Sequence, residues 1–79
     1  MKIRLLYFAS LADRAGRGEE VLDTDAPALR DVYALVAQRH GFAFAPERLR
    51  VAVNGALVPW DHALADGDEV VFLPPVSGG

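Results

Sequence analysis

The 79-residue sequence has no cysteine. That absence removes disulfides, zinc–thiolate and iron–sulfur ligation and any thiol nucleophile, and it fits a reducing compartment. Any sulfur this chain handles has to be carried by another group. Positive charge is also scarce: eight Lys and Arg stand against eleven Asp and Glu, for a net charge of −3. No broad basic face is available, which argues against a nucleic-acid partner. Long apolar runs are missing too. The run Leu5–Ala9 follows Lys2 and Arg4 as a secretory signal would, but five residues fall short of a signal core and far short of the roughly 20 of a membrane span. A cytoplasmic protein with no membrane contact is expected.

What is present is apolar and patterned. An apolar fraction of 52% describes a globular chain, and this length sits near the lower limit for one core without disulfides or metal, so a single domain is expected. Lys2–Phe8 alternates as a strand, with Ile3, Leu5 and Tyr7 on one side and Lys2, Arg4, Leu6 and Phe8 on the other. Ser10 is placed to cap a short helix through Ala15 that Gly16 stops. Glu19–Asp23 reads as a modest strand with Val21 as its best buried residue. Pro27 opens the main helix, where Leu29, Val32, Tyr33 and Val36 recur along one face, and His40-Gly41 ends it.

Phe42, Phe44 and Leu49 are expected to fill one end of the core. Arg50–Asn54 alternates again, and Asn54-Gly55 signals a type I′ hairpin returning through Ala56–Val58. Trp60–Leu64 suggests one helical turn before the Asp66-Gly67-Asp68 turn. Glu69–Leu73 is the last strand, which Pro74-Pro75 terminates by removing two backbone donors. This order predicts an α+β roll: a mixed sheet, its first and last strands side by side at the centre, with one main helix packed on one face. The expected division is a domain over 1–75 and a flexible tail over 76–79.

Conventional chemistry finds no motif in the body. His40 and His62 lack the i, i+4 spacing of helical metal ligands, so neither a metal nor a cofactor is expected. Gly16-Arg17-Gly18 has Val21 where a dinucleotide loop needs its third glycine, and Asp66–Glu69 lacks the length of a calcium loop. Ser10 and Ser77 have no nucleophile motif around them.

The tail Pro74-Pro75-Val76-Ser77-Gly78-Gly79 carries more. Two prolines stiffen its exit toward polyproline II. From Val76 it spans roughly 13 Å when extended, at about 3.3 Å per residue. Gly78 and Gly79 lack a Cβ, so they can thread a narrow channel and present an unhindered carboxylate. Such a carboxylate becomes an acyl donor once adenylated by ATP. Displacement of AMP by a sulfur donor then gives a thiocarboxylate, a route that needs no cysteine on the carrier.

From Val53-Asn54 through Asp61-His62, Leu64, Asp66–Val70 and the last six residues, order and spacing resemble the small subunit of molybdopterin synthase, in the family of ubiquitin-like β-grasp sulfur carriers. Ala63 departs from it, standing where the family often has proline. The resemblance implies a β-grasp fold. It further implies that Gly79 is adenylated by an E1-like ATP-dependent activating enzyme, receives sulfur from a donor protein, and enters the large synthase subunit. There the sulfur passes to cyclic pyranopterin monophosphate, in a heterotetramer of two carriers and two large subunits. The chain would then be a non-catalytic sulfur-donor subunit. A carrier for thiamine or tRNA thiolation, a ubiquitin-like modifier and a plain interaction domain remain alternatives; Lys2 as sole lysine disfavours lysine-linked chains on itself.

Alternation also predicts the docking surface. Leu6, Phe8, Val71 and Leu73 share the face turned away from the helix with Arg50 and Asn54, and Phe8 and Leu73, with Leu57 from the hairpin, should form an exposed apolar patch near the tail exit. The resemblance implies that such positions contact the large subunit. The expected partner-binding set is Phe8, Leu57, Leu73, Pro74, Pro75, Val76 and Ser77, with Gly78 threading and Gly79 reacting.

Overall fold

The computed structural model describes residues 1–75. Its elements run β1 (Lys2–Tyr7), α1 (Ala9–Ala15), β2 (Glu19–Asp23), α2 (Leu29–His40), a 3-10 turn at Pro46–Arg48, β3 (Arg50–Val53), β4 (Ala56–Val58) and β5 (Glu69–Leu73). The five strands form one sheet in the order β2-β1-β5-β3-β4. β1 and β5 pair in parallel at its centre, and the other pairs are antiparallel. The expected mixed sheet is therefore present, first strand beside last.

Alternation decides which face is buried. Ile3, Leu5 and Tyr7 of β1, Val70 and Phe72 of β5, and Val51 and Val53 of β3 point inward. Leu29, Val32, Tyr33 and Val36 of α2 close over them as one apolar stripe. Phe72 is central: its ring stacks 6.2 Å from Tyr7 and 6.0 Å from Trp60, and lies 5.4 Å from Tyr33. Leu49 is buried, and Phe42 and Phe44 pack against the cluster as expected. Gly41 ends α2 at φ 74°, donating to Ala37 O at 2.8 Å. Asn54 and Gly55, at φ 52° and 87°, make the expected left-handed pair of the hairpin.

Four local expectations are corrected. Val21 is 67% exposed, while Leu22 is buried. The cause is register: Val21 sits opposite exposed Arg4, and Leu22 opposite buried Ile3. Ser10 does not cap α1; Phe8, extended at φ −126°, is the cap residue, and its carbonyl accepts from Leu11 N at 3.1 Å. Pro27 does not open α2, which begins at Leu29, because Ala28 is held extended in an antiparallel bridge to Ala63. That bridge also overturns the helical turn expected at Trp60–Leu64. The segment is a turn, closed by His62 N donating to Pro59 O at 3.1 Å, followed by an extended stretch that ties Ala63 to the start of α2.

Candidate functional site

The outer face of the sheet is built in rows by strand register. One row runs Glu19, Leu6, Val71, Ala52, Leu57 across all five strands. The row toward the end of β5 holds Leu73 opposite Arg50, and alternation along the extended backbone brings Phe8 to the same side. On the other side of the Leu6 row, Arg4 stands opposite both Val21 and Glu69. Arg4 Nε lies 3.1 Å from Glu19 and its Nη1 3.5 Å from Glu69, so the charge there is internally balanced. Asn54 continues that polar end, accepting from Glu69 N and donating to Asp68, each at 3.0 Å.

The opposite end is apolar and open. Phe8 is 50% exposed and Leu57 59%, while Leu6, Val71 and Leu73 are half-buried. Two clefts indent it. One, of about 150 Å³, is lined by Leu49, Arg50, Val51, Leu57, Val58 and Trp60. The other, of about 450 Å³, is lined by Arg48, Arg50, Leu73, Pro74 and Pro75. Phe8, Leu57, Leu73, Pro74 and Pro75 thus share the end of the molecule from which the tail departs. Val76, Ser77, Gly78 and Gly79 lie outside the described residues. Arg48 was not among the expected site residues. Its signal was the Arg48-Leu49-Arg50 spacing just before a strand that pairs with the last one.

The inner face carries one ionisable cluster. Glu20, opposite buried Leu5, has a side chain only 7% exposed. It accepts from the Tyr7 hydroxyl and from His40 Nε2, the latter at 2.7 Å, and Arg17 and Arg39 each approach to 3.8 Å. Burial pushes the Glu20 carboxyl up, but the Tyr7 and His40 hydrogen bonds and the His40 and Arg39 charges outweigh it and hold the group below its usual value. Burial, then the Glu20 bond and charge, push the Tyr7 hydroxyl well above its usual range. The cluster ties the edge strand β2 to the end of α2.

A carboxyl depressed in the folded state stabilises above its unfolded pKa, and that stabilisation is lost as pH falls through the folded value. Glu20→Gln is expected to cost about 1.5–3 kcal/mol at pH 7, the range for hydrogen bonds to charged groups. The gap to wild type should close in acid, below the ordinary carboxylate range. Urea melts from neutral to acid pH measure it; a gap independent of pH would remove the charge from the account.

Among the described residues, no group of three or more His, Cys, Asp or Glu is placed to hold a metal ion. No helix there is long and apolar enough to cross a membrane. What the described residues offer is an open apolar end of the sheet, where β5 leads into Pro74 and Pro75.

The model of the ThiS family matches residues 5–79. The molybdopterin synthase sulfur carrier subunit of Escherichia coli (strain K12) is 41% identical over 80 residues, spanning 98% of this chain and 99% of that one. Among solved structures, SAMP1 of Haloferax volcanii, the small archaeal modifier protein 1, has a TM-score of 0.83 at 28% identity, with 100% of each chain covered. A structure described as the complex of subunits 1 and 2 of molybdopterin-converting factor from Helicobacter pylori shares the fold, at TM-score 0.70 and 24% identity over 100% of each chain. The architecture is the ubiquitin-like β-grasp roll.

Proposed function

The chain belongs to the ThiS family, and from that membership we propose that it is the sulfur carrier subunit of a molybdopterin synthase, working in the cytoplasm. The observation that carries the reading is the 41% identity to the E. coli carrier over nearly the whole of both chains. The mechanism follows from the chemistry of a terminal carboxylate. The Gly79 carboxylate attacks ATP in an E1-like enzyme, pyrophosphate leaves, and the resulting acyl adenylate loses AMP to a sulfur donor. The thiocarboxylate then enters the large subunit, where its sulfur bonds to cyclic pyranopterin monophosphate and water cleaves the acyl–sulfur bond, returning the Gly79 carboxylate. A dithiolene needs two sulfurs, which suits a heterotetramer with two carriers.

Intact mass tests this directly. Incubation with ATP, the activating enzyme and a sulfur source should add about 16 Da, the exchange of oxygen for sulfur at an activated acyl group. No gain would defeat the carrier reading. The likeness to SAMP1 favours a second reading, a protein modifier. It predicts covalent conjugates on other proteins' lysines in place of the sulfur gain.

The large subunit is proposed to cover the open apolar end of the sheet. Burial of such a patch is the expected driving force, with a few central side chains dominating. Phe8→Ala and Leu57→Ala should each weaken large-subunit binding by about 1–3 kcal/mol if central. Both are half exposed or more, so the free domain should lose under about 1 kcal/mol, as surface positions do. Titration calorimetry beside urea melts separates the two effects; unchanged affinity would move the interface elsewhere.

A further inference from the structure

Arg50 stands inside the apolar end of the outer face, not at its rim. It is in register opposite Leu73, and it lies diagonal to Leu57, which pairs with Ala52 two residues along β3. It borders both clefts, one with Leu57 and Trp60, the other with Leu73, Pro74, Pro75 and Arg48. Arg48 is held beside it, its guanidinium 5.9 Å from the centre of the Phe44 ring. Arg4 is neutralised by Glu19 and Glu69, and Arg17 and Arg39 approach Glu20. Among the described residues, neither Arg48 nor Arg50 forms an ion pair within 4.0 Å. Cationic charge at this end of the sheet is therefore left without a partner among the described residues, in a chain whose net charge is −3.

A surface that covers both Leu57 and Leu73 must also cover Arg50. Removing a guanidinium from water without a counter-charge costs enough to cancel much of the apolar gain. We propose that the protein seated on this face presents an Asp or Glu carboxylate to Arg50, with a second acidic group in reach of Arg48, so that charge pairing selects the partner and sets its orientation over the tail exit. This rests on the docking reading above and adds the chemistry of the partner. A second copy of this chain is a poorer occupant: a twofold contact through the same face would set the two arginine pairs against each other. Elsewhere the chain's excess acid disfavours a carboxylate-bearing surface, so the arginines are also what aligns the encounter.

The test is titration of the large synthase subunit with wild type, Leu57→Ala, Arg50→Ala, Arg50→Glu and the double Arg48→Ala, Arg50→Ala variant, at low and high salt. Arg50 is exposed, and thermal melts check that every variant is folded. Arg50→Ala should weaken binding about tenfold and Arg50→Glu about a hundredfold or more, and both should flatten the salt dependence seen in wild type. Leu57→Ala should weaken binding but keep the wild-type salt dependence. If the arginine variants bind as wild type while Leu57→Ala does not, the acidic partner is overturned and the docking reading stands. If all bind as wild type, the docking reading itself falls. A dimer of the isolated chain that Leu57→Ala dissolves would put a second copy on the face and overturn the proposal.

Discussion

A chain shortened by its last residue, Gly79, is expected to fold with unchanged stability and to carry no sulfur. The described core closes without the tail: β5 ends at Leu73, and every fully buried side chain lies at or before Phe72. Removing a residue beyond Pro75 should therefore change stability by no more than about 0.5 kcal/mol. The effect on chemistry should be near total. The new terminus would be Gly78, roughly 3.3 Å short of where a bound carboxylate has to react, and misplacement of that size costs orders of magnitude in near-attack geometry. Intact mass after incubation with the activating enzyme, ATP and sulfur source, beside a urea melt, reads both halves. Wild-type sulfur loading of the shortened chain would refute the mechanism. Gly78→Val extends the test, since a branched side chain should fail to thread where glycine passes.

The second large effect falls on stability. Phe72→Ala should cost about 3–5 kcal/mol, the range for truncating a fully buried phenylalanine. Phe72 is fully buried and central to the aromatic cluster of Tyr7, Tyr33 and Trp60. That cluster joins the sheet to α2 and to the segment after β4, so a void there loosens three layers at once. Domains of this size hold only about 5–15 kcal/mol in all, and a small one sits toward the lower end. The variant should be largely unfolded at modest urea. Leu35→Ala, on the same domain but 40% exposed on α2, should stay within about 0.5 kcal/mol. Comparable losses in the two variants would show that the core is not organised around Phe72.

How far the sequence disclosed these features depended on the range of the interactions. Leu29, Val32, Tyr33 and Val36 were legible because helix period alone assigns them to one face, and all four are buried. Asn54-Gly55 was legible because its positive φ is a local demand. Val21 misled because β2 has a carboxylate, Glu20, on its inner face, so the apolar pattern inverts. That side chain is tolerable there only because Tyr7 and His40, 13 and 20 residues away, supply its hydrogen bonds. No local pattern announces such a clamp. The Trp60–Leu64 stretch likewise has helix-like composition, but a bridge from Ala63 to Ala28 takes it for an extended path. At the candidate site, alternation placed Phe8 and Leu73 on the outer face. The clefts, and the position of Arg50 between Leu57 and Leu73, needed the pairing of β3 with both β4 and β5.

The parallel pairing of β1 with β5 bears on how the protein is made. Its partners are far apart in the chain, as Arg4 and Glu69 show at a separation of 65 residues. Contacts of that span are slow to form and cannot form at all before Glu69–Leu73 has been synthesised. A nascent chain waits without its central pair until β5 leaves the ribosome. A chain that stops before Glu69 lacks the strand between β1 and β3 and is expected to remain unfolded and open to proteolysis. Because residues 76–79 lie just beyond β5 in the sequence, a chain that has closed the centre of its sheet has already been made up to the threshold of those residues.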